Sequence, residues 1–154
     1  QGAAGEGGRA ESTRALSVLV LDTGTLVALE RGTARLRAFL QAASARKAQL
    51  RVPASTLTEF LGHSPKQRRR QADYVASHLN IDPIDEALAR RAGALTRRAL
   101  DRGPKARPGA IDALGVAHAE ALEGIFIFAG DRADFEALAD ASGSVEIVDL
   151  ADLV

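Results

Sequence analysis

Apolar residues fall along this chain in two rhythms. Residues 17–21 (SVLVL) and 124–128 (GIFIF) are unbroken apolar runs rich in β-branched or aromatic side chains and bounded by polar turn residues. Such runs predict parallel strands buried on both faces. Residues 50–53 (LRVP), 80–84 (NIDPI) and 145–148 (VEIV) mix apolar and polar positions and read as further short strands. Between them the spacing turns helical. Leu36, Phe39, Leu40 and Ala43 share one face of a helix over 33–47, and Ser55 or Thr56 with Glu59 resembles a capping box at the start of the next. A basic helix is expected over 65–79 with Pro65 in its first turn. Asp85 is placed to cap a helix reaching Leu100, and further helices are predicted over 110–122 and 131–141. The alternation predicts an α/β fold, a three-layer α/β/α sandwich around a mainly parallel five-stranded sheet. In such sheets the working site lies beyond the carboxyl ends of the strands, near the reversal of strand order.

The length of 154 residues supports one core, here a domain over 17–154. Residues 1–16 are rich in Gly, Ala, Glu and Arg without periodicity and read as a flexible arm. The arm carries no signal-like apolar run and no window is apolar enough for a membrane span, so a cytoplasmic protein with no membrane partner is expected. The absence of Cys excludes disulfides and thiolate metal sites, leaving hard oxygen-ligand metals. One Tyr, no Trp and five Phe argue against base stacking on an aromatic platform.

The net charge of zero hides an asymmetry: residues 31–110 carry 17 basic and 6 acidic side chains, residues 111–154 carry 1 and 10. That division suits a polyanion-binding surface beside a carboxylate cluster, or simply two solvated faces of opposite sign. Lys66 and the run Arg68, Arg69, Arg70, with Arg90, Arg91, Arg97 and Arg98, are the candidates for contacting a phosphate backbone. His63 shares the helical face of Glu59, whereas His118 lies on a different face from Asp112 and reads as structural.

Four acids stand where this architecture would gather chemistry. Asp22 ends the first strand, Asp131 follows the fourth, Glu59 is on the helix after the second, and Asp112 opens a helix behind a Pro-Gly loop. Each has a plain alternative, since Asp22 is placed to cap a helix, Glu59 to serve a capping box and Asp112 to satisfy a helix dipole. Packed together they would repel, and a shared Mg²⁺ or Mn²⁺ is the simplest way to keep them ionised.

The segments 19–28 (VLDTGTLVAL), 52–62 (VPASTLTEFLG), 110–119 (AIDALGVAHA) and 125–138 (IFIFAGDRADFEAL) together resemble the four acidic motifs of PIN-domain ribonucleases, most nearly the VapC-type toxins of toxin–antitoxin pairs. The resemblance implies a Mg²⁺- or Mn²⁺-dependent endoribonuclease. Asp22 and Asp112 would be the main metal ligands, Glu59 and Asp131 would bind metal or water, and Asp134, Thr23 and Thr25 would lie just outside. It also implies a cognate antitoxin and a homodimer. One departure is Ala129-Gly130, where the family commonly places Thr or Ser before the fourth acid. Three other readings remain: a PIN nuclease of RNA processing outside any toxin pair, a PIN-like binding module that does not cut, and a haloacid-dehalogenase-like phosphatase using Asp22-Thr-Gly-Thr25. The last lacks a second acid two residues after Asp22, where Gly24 stands.

Overall fold

Five short strands form one parallel sheet: β1 (Val18–Leu21), β2 (Gln49–Pro53), β3 (Asn80–Asp82), β4 (Ile125–Phe128) and β5 (Glu146–Asp149), in the order β3-β2-β1-β4-β5. This is a computed structural model describing residues 17–103 and 107–153, so the expected arm over 1–16 lies outside the described residues. The chain winds outward from β1 to β3 and then returns to build β4 and β5 on the other side of β1. The strand order therefore reverses between β1 and β4, where Asp22 and Asp131 follow the strand ends.

The helices are α1 (Thr23–Arg31), α2 (Ala34–Ala45), α3 (Ala54–His63), α4 (Arg69–Ala76), α5 (Glu86–Arg102), α6 (Ala110–Ala121), α7 (Arg132–Ser142) and the single turn α8 (Leu150–Leu153). The apolar spacing did not predict α1 or α8. In α1 the N-cap Asp22 follows directly on β1 and Gly24 stands in the first turn, so Asp22-Thr-Gly24 reads as a turn that bounds the strand rather than as the start of a helix. Asp85 caps α5 as expected, accepting from the Leu88 amide at 2.8 Å. The capping box expected around Ser55 or Thr56 does not form: α3 starts at Ala54 with Pro53 as its N-cap and no side-chain cap bond. The basic helix expected from Pro65 is likewise split, with a 3₁₀ turn over Lys66–Arg68 preceding α4.

Alternation along the strands divides the interior in two. Val20, Phe126 and Phe128 point to one face, against Leu88 and Leu95 of α5, Val116 of α6, and Phe135 and Leu138 of α7. Leu21, Ile127, Leu50 and Val52 point to the other, against Leu26 and Leu29 of α1, Leu36 of α2, Phe60 of α3, Val75 of α4 and Leu150 of α8. Phe135 bridges Phe126 and Phe128, with ring centroids 5.1 and 4.9 Å away. Burying one such ring stabilises the fold by about 2–3 kcal/mol. Helix α6 packs closely on the sheet because its buried face is largely small, with Ala113, Gly115, Val116, Ala117 and Ala119. A Cβ on Gly115 would sit 2.9 Å from the Phe126 ring, so only glycine fits there. No helix among the described residues is long and apolar enough to cross a membrane.

Candidate active site at the carboxyl end of the sheet

Asp22 is the best-anchored acid. Its main chain leaves β1 hydrogen-bonded to Ile127 of β4, its amide donating to the Ile127 carbonyl at 3.0 Å. Its side chain caps α1, accepting from the Thr25 amide at 2.7 Å, and also accepts from the Ala129 amide at 3.2 and 3.3 Å. The capping reading of Asp22 is thus realised, and because a carboxylate accepts several hydrogen bonds at once it also holds the Ala129 amide. The residue is 8% exposed. Burial pushes its pKa up to about 6, against the hydrogen bonds from Thr25 and Ala129, and the negative charge of Asp131 adds to the rise.

Two local features make this anchor possible. Thr25 is fully buried and its hydroxyl donates to the Ile127 carbonyl at 3.2 Å, tying the first turn of α1 to β4. Gly24 lets the same turn press on the end of β4, since a Cβ there would lie 2.3 Å from the Ala129 carbonyl oxygen. The departure at Ala129 therefore removes a hydroxyl but leaves intact the backbone amide that holds Asp22. That donor has no sequence signal, because every residue except proline carries one. Thr23 differs from Thr25: its hydroxyl oxygen is buried with no hydrogen-bond partner among the described residues, as is that of Ser55 at the start of α3.

Asp112 stands half-buried in the first turn of α6, which enters from Gly109. Its pKa is also raised to about 6, first by burial and then by the negative charges of Asp131, Asp22, Glu59 and Asp134. All five acids nominated from the sequence therefore share one electrostatic neighbourhood, contributed by elements far apart along the chain. Glu59 lies half-buried in the second turn of α3. Asp131 is exposed in a left-handed conformation (φ 47°) at the N-cap of α7, with no cap hydrogen bond from its side chain. Asp and Asn tolerate that conformation better than other side chains, and here it leaves the carboxylate free of its own helix. Asp134 accepts from the Arg107 amide at 3.0 Å and so holds the loop that delivers α6.

The acids approach one another without closing up. Among the described residues, no three His, Asp or Glu side chains are gathered tightly enough to hold one metal ion between them. Uncompensated carboxylates repel, and Mg²⁺ commonly takes only one or two carboxylates with waters completing its shell. An all-oxygen donor set with two carboxyl groups raised to about 6 fits a hard divalent cation, whose charge would reverse both shifts.

Arg68, Arg69 and Arg70 lie on the connection from α3 into α4, Arg68 half-buried and the other two exposed. No described contact ties them to the acids. His63, in the last turn of α3, is exposed. His118 is buried and bonded to Asp82, in keeping with a structural role.

A family model described as the PIN domain matches residues 19–141. Among solved structures, VapBC2 from Rickettsia felis bound to a DNA fragment from its promoter is similar at 18% identity, covering 86% of this chain and 98% of that one, with a TM-score of 0.68. DNA-bound VapBC from Salmonella typhimurium is similar at 21% identity over 87% of this chain and 98% of that chain, TM-score 0.67. Mycobacterium tuberculosis VapC20, a Sarcin-Ricin loop cleaving toxin, is similar at 19% identity over 79% of this chain and 94% of that chain, TM-score 0.52. No curated protein matches the chain in sequence.

Proposed function

We propose that this chain, which belongs to the PIN domain family, is a divalent-metal-dependent endoribonuclease and the toxin of a toxin–antitoxin pair. The observation that carries the reading is the convergence on Asp112 of the charges of Asp22, Glu59, Asp131 and Asp134 at the reversal of strand order. Like charges gathered around two desolvated carboxyl groups are costly to maintain, and groups perturbed in this way concentrate at functional sites. The structural likeness to VapBC complexes supports an antitoxin partner, and a homodimer is proposed from the resemblance of the four acidic motifs alone.

Asp22 and Asp112 would hold Mg²⁺ or Mn²⁺, with Glu59 and Asp131 beside them. When bound, the cation supplies charge to polarise a phosphoryl oxygen and to lower the pKa of a bound water. The chain's own residues do the rest. The Thr25 and Ala129 amides fix the Asp22 carboxylate in one orientation. Asp131, exposed and free of its cap, or Glu59 would orient the attacking water or bind a second ion. Arg68, Arg69 and Arg70 would neutralise backbone phosphates of the RNA.

Replacing Asp22 or Asp112 by Asn tests the reading. Both variants are expected to fold and to lose Mn²⁺-dependent cleavage of RNA by roughly a hundredfold or more, the scale of removing one preorganised charged group from a site. Cleavage at the wild-type rate by both would overturn it. A PIN-like module that binds without cutting would instead show no carboxylate-dependent Mn²⁺ binding in the wild type.

A further inference from the structure

We infer that His118 is a positioning residue, fixing the register of α6 against the sheet and thereby the place of Asp112; the inference rests on the nuclease reading above only for its effect on turnover. The buried face of α6 is Ala113, Gly115, Val116, Ala117 and Ala119. Small side chains let a helix approach closely but offer few knobs to interlock with the surface beneath, so they resist sliding and rotation weakly. Gly115 against Phe126 limits how far the helix can slide, and the Arg91 guanidinium of α5 donates to Glu120 at 2.7 Å, but a directional contact to the sheet itself narrows the register further. His118 is the only polar side chain buried on this helix among the described residues.

Its ring supplies that contact. His118 Nε2–H donates to Asp82 Oδ2 at 2.6 Å across the packing boundary between α6 and the end of β3. Asp82 is in turn clamped by Arg51 of β2, whose Nε and Nη2 donate to its two oxygens at 2.9 and 2.5 Å. The Arg51 guanidinium, against the effect of burial and with help from His118, holds the Asp82 carboxyl below the usual carboxylate range, so the acceptor is charged at neutral pH. β2 and β3 pair in register at Arg51↔Asn80 and Pro53↔Asp82, which makes the clamp a rigid part of the sheet. A charge-assisted hydrogen bond to an anchored carboxylate is both strong and directional. Six residues separate His118 from Asp112, about 9 Å along the helix axis, so a slip at one is carried to the other by an unbroken helix.

The test uses His118→Phe, which keeps the bulk of the ring and removes the donor, and His118→Gln, whose amide restores a donor toward Asp82. Three quantities are read for each: thermal stability, the backbone amide NMR resonances of residues 110–113, and kcat and KM for Mn²⁺-dependent RNA cleavage. The expected result for His118→Phe is a folded protein with displaced amide resonances over 110–113. Its kcat should fall roughly tenfold with little change in KM, because sub-ångström misplacement of a catalytic group acts on turnover. His118→Gln should restore both. A folded His118→Phe protein with wild-type resonances over 110–113 and wild-type kcat overturns the inference. If His118→Phe does not fold, Asp82→Asn is read in the same way, with the same two results deciding. If the wild-type protein does not cut RNA, the nuclease reading fails by itself, and the amide resonances alone decide the positioning role.

Discussion

Neutralising Asp22 should make the metal-free protein more stable while silencing it. Asp22 is 8% exposed and its pKa rises from 3.8 to about 6 on folding. A carboxyl whose folded pKa exceeds its unfolded value binds more protons in the folded state between the two values. Its contribution to stability is therefore complete below about pH 4 and is lost as the pH rises through about 6. A shift of about two units corresponds to about 3 kcal/mol withheld from the folded state at neutral pH. Asp22→Asn keeps an oxygen to accept from the Thr25 and Ala129 amides but carries no charge to desolvate. The comparison is urea unfolding of wild type and variant with a chelator present, at about pH 4.5 and about pH 8. The variant should be more stable by about 2–3 kcal/mol at the higher pH, an increase of roughly 5–10 °C in Tm. At the lower pH the gap should shrink to a fraction of that. Saturating Mn²⁺ should raise the stability of the wild type and leave the variant unchanged. A variant less stable than wild type at about pH 8, or a gap independent of pH, would refute the claim that Asp22 is held ionised at a cost.

Gly24→Ala should destabilise the fold by about 2–4 kcal/mol, because its Cβ would lie 2.3 Å from the Ala129 carbonyl oxygen and two backbones must part; a wild-type thermal melt would contradict this. Thr25→Val should cost only about 1 kcal/mol, since the Ile127 carbonyl it leaves still accepts from the Asp22 amide at 3.0 Å. The Thr25 amide that caps onto Asp22 is kept in this variant, so a thermal melt lowered by much more than a few degrees would contradict the estimate. Replacing Arg68, Arg69 and Arg70 together by Ala should weaken RNA binding and flatten its dependence on salt, by up to about 0.7 in log–log slope for each phosphate no longer neutralised. An unchanged slope would remove these residues from the RNA surface.

Much of this molecule was legible in one dimension. Unbroken apolar runs declared β1 and β4 because a strand covered on both faces has no polar side to show, short mixed segments between turn residues marked β2, β3 and β5, and helical spacing declared most helices because each buries one stripe. Residue type named the acids, since Asp22, Glu59, Asp112 and Asp131 follow strand ends or open helices where an α/β sheet gathers its chemistry. Helix α1 escaped because Asp22-Thr-Gly24 reads as a turn bounding β1 rather than as a helix start, and the capping box at Ser55 failed because Pro53 starts α3 earlier. What only the tertiary structure decided are the interactions of groups that carry no sequence signal or whose partner is far along the chain. The Ala129 amide on Asp22 crosses 107 positions, and the Asp82 bond to His118 crosses 36. The pressure of the Ala129 carbonyl on Gly24 and of Phe126 on Gly115 explains two glycines that the local pattern leaves open. Periodicity reports which face of an element is buried. It carries no information about which distant atom is waiting there, and that is settled only when the layers close.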